Sequence, residues 1–391
     1  MEIQPFRIRI PQTALDDLHN RLAHTNWPSQ LPVTDDKDWQ RGVPVAYLNT
    51  LSDYWRTGFD WRAQEAELNK FPQFMTEIDG QSIHFLHVRS SEPNALPLLI
   101  LHGYPSSFVE FTKIIGPLAD PRAYGADPSQ AFHVIVPSLP GYGFSTPLAE
   151  SGWELSRTSR ALAALMYGLG YERYLALGSD IGAGIVGMLG STDGDHLIAA
   201  HVSTDPTALA LLGAPIAYPA GDSVLSQAQI QRLQGLRELQ NEGKGYLQIQ
   251  STKPQTLAYA LADSPVAQLA WIVEKFEAWT NIDKLLPEDA VDRDQLLTNV
   301  SLYWFTGTGA TAANFIYEAT HSTAPWAAAS TTPTGFAAFN IRHIENAMRA
   351  MVDPEHKLPH WSAFEQGGHF PAMEAPDLLM NDAREFFRQF R

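Results

Sequence analysis

Residues 175–184 combine a residue type and a spacing that suggest covalent chemistry. They form a short apolar run that ends in the pattern Gly-x-Asp-x-Gly, with Gly178 and Gly182 on either side of Asp180, and a helical pattern follows. Flanking glycines allow a sharp strand-to-helix turn that exposes the central side chain as a nucleophile. A carboxylate in that position attacks a carbon atom by displacement and becomes an alkyl ester. The pattern therefore indicates an epoxide or an alkyl halide as the electrophile, rather than a peptide or an ordinary ester.

Two further motifs stand in the chain order that such a nucleophile needs. The His-Gly-Tyr-Pro sequence at residues 102–105 closes a predicted strand. We expect the backbone N–H groups of Tyr104 and Ile181 to form an oxyanion hole. His369 follows two glycines after the last predicted strand, which is where a general base would reach the nucleophile. The sequence thus predicts Asp180 as the nucleophile and His369 as the base, with an acid between them in the chain.

The elements that must position these residues alternate between strand and helix. Short apolar segments separated by helical patterns occupy residues 75–206, which is typical of a mostly parallel, doubly wound α/β sheet. From residue 207 to residue 326 the strands stop, and helical periodicity takes over at residues 226–240, 254–261, 266–279 and 294–304. We expect this part to be a helical cap, inserted over the carboxyl ends of the strands.

Two segments flank the cap and the first part of the core. Residues 327–391 return to strand and helix patterns and are predicted to complete the core. Residues 1–74 are predicted to form an N-terminal meander. The meander contains four tryptophans, whose large rings are expected to be buried against another part of the protein. They are Trp27, Trp39, Trp55 and Trp61.

Composition narrows the classes of function. The 391 residues are 45% hydrophobic, and 27 basic against 43 acidic side chains give a net charge of −16 without a basic stripe, so nucleic acid is not expected as a partner. There is no cysteine, which excludes disulfides and thiolate metal sites. No run reaches the roughly 18 to 20 apolar residues that cross a bilayer, and the N-terminus lacks a signal-peptide pattern. We expect a soluble, cytoplasmic protein without a membrane partner, and a homodimer is left open.

Together these motifs make the chain resemble the epoxide hydrolases of the microsomal and juvenile-hormone type, including their soluble bacterial relatives. The resemblance covers nearly the whole chain. The segments that carry it, besides the elbow around Asp180, are residues 102–105 (HGYP), 137–145 (PSLPGYGFS), 245–254 (GYLQIQSTKP), 263–265 (DSP), 296–300 (LLTNV), 306–308 (TGT) and 367–370 (GGHF). The resemblance implies an α/β-hydrolase fold and a cofactor-independent enzyme. Its substrate would be a small-molecule epoxide, to which it adds water to give a vicinal diol.

The resemblance also implies that cap tyrosines hydrogen-bond the epoxide oxygen and protonate it as the ring opens. Tyr246 matches the first of these tyrosines. The second normally stands two residues before a glutamate, which is Glu318 here, and its position holds Ile316. We expect Tyr317, one residue further along, to take this role, with Tyr303 as the alternative.

The acid of the triad is a second departure. The resemblance places it three residues after the Phe that ends the motif at residues 333–339, and this chain has Arg342 there. A cation beside a histidine base lowers the pKa of that base. Asp205, at the end of the strand after the elbow helix, is the first candidate for the acid, and Glu345, about one helical turn past Arg342, is the second. A slow enzyme without a third member stays open.

Other chemistries remain as alternatives. Ile181 stands where relatives usually have a tryptophan, and haloalkane dehalogenases use a tryptophan there to bind halide. An isoleucine side chain cannot donate such a hydrogen bond, which disfavours dehalogenation. Because of Arg342, a relative with altered or slow epoxide-opening chemistry and a binding protein without turnover both stay open. A serine esterase is disfavoured because Ser179 lies off the apex of the elbow.

A metal site is the last alternative. Asp205, Asp180 and His369 are the residue types that bind metals, but their surroundings lack ligand spacing such as His-x-x-x-His or a carboxylate-rich loop. The sequence therefore predicts neither a metal nor a cofactor.

Overall fold

The computed structural model describes residues 1–32, 39–204, 243–324, 330–340 and 345–391. Its centre is a single sheet, to which the described residues contribute nine strands. In chain order the strands are β1 (Gln4–Phe6), β2 (Gln73–Ile78), β3 (Gln81–Val88), β4 (Leu96–Leu101), β5 (Phe132–Pro137), β6 (Tyr174–Ser179), β7 (Leu197–Ser203), β8 (Thr334–Phe339) and β9 (His360–Phe364).

The strand order across the sheet is β1-β2-β3-β5-β4-β6-β7-β8-β9. The pairs β1/β2, β2/β3 and β3/β5 are antiparallel, and every pair from β5/β4 to β8/β9 is parallel. The central strands are almost continuously buried, as expected where both faces of a parallel sheet are covered. The predicted mostly parallel α/β sheet is therefore confirmed, and the strand before the elbow lies at its centre.

Helices cover this sheet and supply the meander and the cap. Those of the meander are α1 (Gln12–Ala23), α2 (Val45–Thr57) and α3 (Trp61–Leu68). Those of the core are α4 (Thr112–Ala119), α5 (Leu155–Gly168), α6 (Asp180–Thr192), α13 (Glu345–Val352), α14 (Pro371–Glu374) and α15 (Pro376–Phe387). Short 3-10 turns lie at Phe108–Phe111, Pro121–Tyr124, Pro128–Gln130 and Arg388–Phe390.

Between β7 and β8 the described chain is entirely helical. The helices of this cap are α7 (Gly245–Thr252), α8 (Pro254–Asp263), α9 (Pro265–Trp279), α10 (Pro287–Ala290), α11 (Arg293–Thr306) and α12 (Thr308–Thr320). Three of the four predicted cap helices coincide with α8, α9 and α11, while the predicted helix at residues 226–240 lies outside the described residues. The boundaries of the cap and of the other domains stay predictions.

The meander packs against the cap, as its tryptophans suggested. Trp55 is fully buried and its indole N–H donates to Ser301 Oγ at 2.9 Å, while the Trp61 ring meets Phe305. The hydroxyl of Tyr54 donates to Asp294 at 2.8 Å. The meander thus braces the cap helix α11 through buried aromatic rings. No helix among the described residues is long and apolar enough to cross a membrane.

Candidate active site

The turn from β6 into α6 presents Asp180 at the carboxyl edge of the sheet. Asp180 has a φ of +49°, a left-handed conformation that is uncommon for a side chain other than glycine. Neither of the two neighbouring glycines has room for a Cβ atom. A Cβ on Gly178 would lie 2.5 Å from the carbonyl oxygen of Gly182, and a Cβ on Gly182 would lie 2.3 Å from that of Leu101. The elbow therefore closes only with glycine at both positions.

Backbone N–H groups face the Asp180 carboxylate. The N–H of Tyr104 donates to Asp180 Oδ1 at 2.8 Å, and the N–H of Ile181 also bonds the carboxylate. A Cβ on Gly103 would lie 2.3 Å from Asp180 Cβ, so this loop approaches the nucleophile as closely as a backbone can. The two predicted oxyanion donors therefore lie at one carboxylate, and they would hold Oδ1 if it became an oxyanion.

His102 fixes the loop that carries Tyr104. Its ring is fully buried, Nδ1 is 3.1 Å from the carbonyl oxygen of Gly103, and Nε2 accepts from the N–H of Leu139 at 3.2 Å. Burial lowers the pKa of His102 to about 4, so the ring is neutral and donates through Nδ1. The imidazole thus acts as a structural link between two loops.

His369 reaches the same carboxylate from the loop before α14. Its Nε2 lies 3.4 Å from Asp180 Oδ2, and its own backbone N–H donates to the carbonyl oxygen of Trp279 at 2.8 Å. The ring packs on Trp279, with centroids 4.9 Å apart. The predicted base therefore lies beside the predicted nucleophile, at the end of cap helix α9.

The environment keeps Asp180 ionised. Burial raises the pKa of its carboxyl, but the hydrogen bond and charge of His369 and the N–H groups of Tyr104 and Ile181 outweigh that effect. The resulting pKa lies below the ordinary value for an aspartic acid. A buried, ionised and poorly hydrated carboxylate is well suited to attack a carbon electrophile.

Tyr246, on α7, lies above the nucleophile within a cluster of aromatic rings. Its ring is parallel to that of Tyr104, with centroids 5.9 Å apart, and lies 5.3 Å from Trp279. Burial, followed by the charge of Asp180, raises the pKa of the Tyr246 phenol. The hydroxyl is therefore a protonated donor at neutral pH. The ammonium of Lys275 lies 4.5 Å from the centre of the ring.

The other predicted tyrosines lie in different surroundings. Tyr317 is half-buried and its ring stacks on His321, with centroids 4.2 Å apart. Among the contacts of the described residues, none joins Tyr317 to Asp180 or Tyr246. Its catalytic role stays a prediction. Tyr303 is a core residue, fully buried, whose hydroxyl donates to the carbonyl oxygen of Ser106 at 2.9 Å.

The two candidates for the acid, Asp205 and Glu345, cannot be compared within the described chain. Asp205 and Arg342 lie outside the described residues. Glu345 is the first residue of α13, and it is exposed, so its charge is screened by water.

Ser179 donates its hydroxyl to Glu110 at 3.2 Å. That bond turns Ser179 away from the role of nucleophile.

Two carboxylates near the site, Glu110 (buried) and Glu374 (partly buried), were missed by the sequence analysis. Glu110 is 1% exposed, and burial raises its pKa to about 7 against the charge of His369 and the hydroxyls of Ser106 and Ser179. The sequence feature that could have identified Glu110 is its position as a single acid within the apolar run at residues 108–111. Glu374 Oε1 accepts from the N–H of Phe370 at 3.0 Å, which ties the loop of His369 to α14.

Glu374 has a second partner in the cap. Its Oε2 accepts from the N–H of Asn281 at 2.9 Å. Burial raises the pKa of Glu374 to about 7, while both backbone donors and the charge of His369 lower it. From the last position of α14, the carboxylate therefore joins the loop of His369 to the segment that follows α9.

One group of described side chains outside this site has the residue types of a metal centre. Asp382, on α15, accepts hydrogen bonds from His201 Nε2 at 2.7 Å and from His360 Nε2 at 2.8 Å, and Ser362 donates to it as well. Both histidines pair in register with Gly335 of the intervening strand. Each carboxylate oxygen is already bonded directly to a ring nitrogen. These hydrogen bonds connect α15 to strands β7 and β9 of the sheet.

Comparisons with known proteins agree with this geometry. A family model described as "Epoxide hydrolase N terminus" matches residues 3–111, and one for the alpha/beta hydrolase fold matches residues 97–376. An inferred epoxide hydrolase of Stigmatella aurantiaca (strain DW4/3-1) is 42% identical over all of this chain and 86% of its own length. Epoxide hydrolase 1 of Sus scrofa is 35% identical over 98% of this chain and 88% of its own.

Epoxide hydrolases are also among the solved structures that superpose on this chain. The epoxide hydrolase of Aspergillus niger superposes with a TM-score of 0.81 at 31% identity, covering 100% of this chain and 97% of that one. The juvenile hormone epoxide hydrolase of Bombyx mori gives a TM-score of 0.80 at 28% identity, covering 100% and 94%. Meander, core and cap are thus all similar to parts of those enzymes.

Proposed function

Since the chain belongs to the epoxide hydrolases of the microsomal and juvenile-hormone type, which have the α/β-hydrolase fold, we propose that it forms its diol through a covalent alkyl ester on Asp180. One observation carries this proposal. Asp180 Oδ1 is held by the Tyr104 N–H at 2.8 Å, while Oδ2 faces His369 Nε2 at 3.4 Å. One oxygen is thus fixed as a future oxyanion, and the other is directed towards the base and the substrate.

In the first half of the reaction, Asp180 Oδ2 forms a bond to one epoxide carbon. The carbon–oxygen bond of the ring breaks, and its electron pair moves to the oxirane oxygen. The Tyr246 hydroxyl donates a hydrogen bond to that oxygen and protonates it as the ring opens. Because the pKa of the phenol is raised, the hydroxyl is in its protonated form before substrate arrives.

In the second half, His369 removes a proton from water, and the hydroxide attacks the carbonyl carbon of the ester. The negative charge that forms on Oδ1 is stabilised by the N–H groups of Tyr104 and Ile181. Collapse expels the second diol oxygen, which takes the proton from His369. The Asp180 carboxyl then returns its proton to the Tyr246 phenolate, and the carboxylate is regenerated. Nucleophile, acid and base are all side chains of this protein, so the proposed cycle uses no cofactor.

The experiment is a single turnover of styrene oxide with excess enzyme in ¹⁸O-labelled water. The ester route requires the first diol to carry unlabelled oxygen from Asp180, and the Asp180 peptide to gain the heavy oxygen. Direct attack of water on the epoxide would put the label in the diol and none in the peptide, which would overturn the proposal. Asp180→Asn is the inactive control, and His369→Gln is expected to form the ester and accumulate it.

The same assay tests the acid. Asp205 and Glu345 are the proposed candidates, and a carboxylate that orients His369 affects the hydrolysis of the ester more than its formation. We expect Asp205→Asn to accumulate ester and Glu345→Gln to behave as the wild type. Normal hydrolysis in both variants would exclude both residues as the acid.

A further inference from the structure

The Tyr104 hydroxyl is the second phenol close to the nucleophile, and no step described so far uses it. The Tyr104 side chain is 4% exposed, and its ring plane is within 1° of that of Tyr246. Its own backbone N–H is fixed on Asp180 Oδ1. The residue therefore connects the nucleophile to the aromatic cluster beneath the cap.

Two cap side chains occupy the lone pairs of this phenol. Gln250 Nε2 donates to the Tyr104 hydroxyl oxygen at 2.9 Å, and the indole N–H of Trp271 donates to it at 2.6 Å. A tyrosine hydroxyl has one proton to donate and two lone pairs to accept with. Because both bonds from the cap are accepted, the proton of Tyr104 is left to donate to a third group.

We propose that this proton is donated to the oxirane oxygen, which makes Tyr104 a second acid beside Tyr246 in the ring-opening step. The inference rests on the proposed function, because it assigns a role within the attack by Asp180. Two N–H donors on the phenol oxygen stabilise the phenolate that a proton transfer leaves behind. Tyr246 has no such pair of donors among the described hydrogen bonds, so the two phenols have different surroundings.

The proton balance closes without another reactant. The opened ring oxygen takes one proton, from either phenol. When Tyr104 supplies it, Asp180 gains a bond to carbon, Tyr246 keeps its proton and its hydrogen bond to the new hydroxyl, and a Tyr104 phenolate remains beside the neutral ester. Hydrolysis of that ester by one water releases the second hydroxyl of the diol and one proton. That proton returns to the phenolate while Asp180 regains its negative charge. Burial raises the pKa of Tyr104, and the bonds from Gln250 and Trp271 lower it, with a net rise that keeps the resting phenol protonated.

The test compares three tyrosine-to-phenylalanine variants by rapid quench, with styrene oxide as the probe and the Asp180 ester as the readout. Tyr104→Phe removes the hydroxyl and keeps the backbone N–H that faces Asp180. We expect it to slow ester formation roughly 10- to 100-fold, with ester hydrolysis unchanged. Tyr246→Phe is expected to act on the same step. Tyr167→Phe is the matched control, since Tyr167 is 76% exposed on α5, and it is expected to form ester at the wild-type rate.

A second variant keeps the test decisive if Tyr104→Phe does not fold. Gln250→Leu removes one donor from the phenol oxygen and leaves Tyr104 itself intact. We expect a slowing of ester formation of about threefold to tenfold, because the phenolate loses one charge-assisted hydrogen bond. Wild-type ester formation in Tyr104→Phe would overturn the inference. The ¹⁸O result in the wild type tests the proposed ester separately, so the two failures are distinguishable.

Discussion

The ammonium group of Lys275 lies 4.5 Å from the centre of the Tyr246 ring and 5.8 Å from that of Trp279. The lysine is 2% exposed, and its Nζ pairs with Glu274 Oε1 at 2.7 Å. A buried cation over an aromatic face is attracted by the ring and holds its orientation. Its charge also stabilises a phenolate, because little water is present to screen it. Lys275 is therefore placed to support Tyr246 as an acid.

We predict that Lys275→Met slows formation of the Asp180 ester by about tenfold and leaves ester hydrolysis within twofold of wild type. The methionine keeps the length of the side chain and removes only the charge. Lys70→Met is the control, since Lys70 is exposed in the meander. Glu274 loses its partner in this variant, but its side chain is 38% exposed and stays in contact with water, so only a small loss in thermal stability is expected. Equal losses in both chemical steps would assign Lys275 to packing alone.

Glu374 is predicted to act on the second step. Glu374→Gln keeps one acceptor oxygen, but its amide NH₂ faces one of the two backbone N–H groups that the carboxylate binds. The loop of His369 then loses one of its anchors, either to α14 or to the end of α9. We expect ester hydrolysis to fall about tenfold, with ester formation within twofold of wild type, measured by rapid quench.

The matched control for this change is Glu385→Gln. Glu385 is exposed on the next helix, α15, and should leave both steps unchanged. If Glu374→Gln lowers ester formation as much as hydrolysis, its carboxylate serves general stability and does not position the base.

The elbow and the oxyanion loop could be predicted because each is encoded locally. Gly178, Asp180 and Gly182 stand within five residues, and the approach of Gly178 to the Gly182 carbonyl is intrinsic to that turn, whereas Gly182 itself approaches Leu101 of β4. The parallel sheet followed in the same way from short apolar segments. Lys275, Glu374 and the Tyr104 hydroxyl could not be predicted, because their roles depend on partners far away in the sequence.

Three cap helices were also missed, for a different reason, and one of them, α10, is a single turn of four residues. Helices α7 and α12 have small and polar residues on their buried faces, including Gln250 in α7 and Thr308 in α12. Such residues give little of the apolar periodicity from which a helix is predicted. Packing against neighbouring helices stabilises α7 and α12 even though their apolar periodicity is weak.

The buried carboxyl of Glu110 predicts a dependence of stability on pH. Burial raises its pKa from the ordinary value near 4.5 to about 7 in the folded protein. The folded state therefore holds this proton more tightly than the unfolded state, and stability falls as pH rises through about 7. Glu110→Gln cannot ionise and keeps the hydrogen bond from Ser179. We expect the variant to gain roughly 3 kcal/mol relative to wild type between pH 4.5 and pH 8.

Urea unfolding of both proteins at several pH values measures this difference. Glu374, Asp382 and His360 titrate in both proteins, so their contributions cancel in the comparison. If the difference in unfolding free energy between the two proteins does not change with pH, burial does not raise the pKa of Glu110.

The close approach of Gly103 to the Asp180 side chain gives the last prediction. A Cβ on Gly103 would lie 2.3 Å from both Cβ and Oδ1 of Asp180, so Gly103→Ala must displace the nucleophile or the loop that carries the Tyr104 N–H. Displacements of about 1 Å in a reacting geometry lower rates by about 100-fold, and we expect at least that loss in ester formation. Gly187→Ala is the control, because Gly187 lies on α6, is exposed, and has no atom within 4 Å of an added Cβ. That variant should keep full activity and gain about 0.5 to 1 kcal/mol from helix propensity. Ester formation at the wild-type rate in Gly103→Ala would show that the loop yields without moving Asp180, and that the close approach is not required for attack.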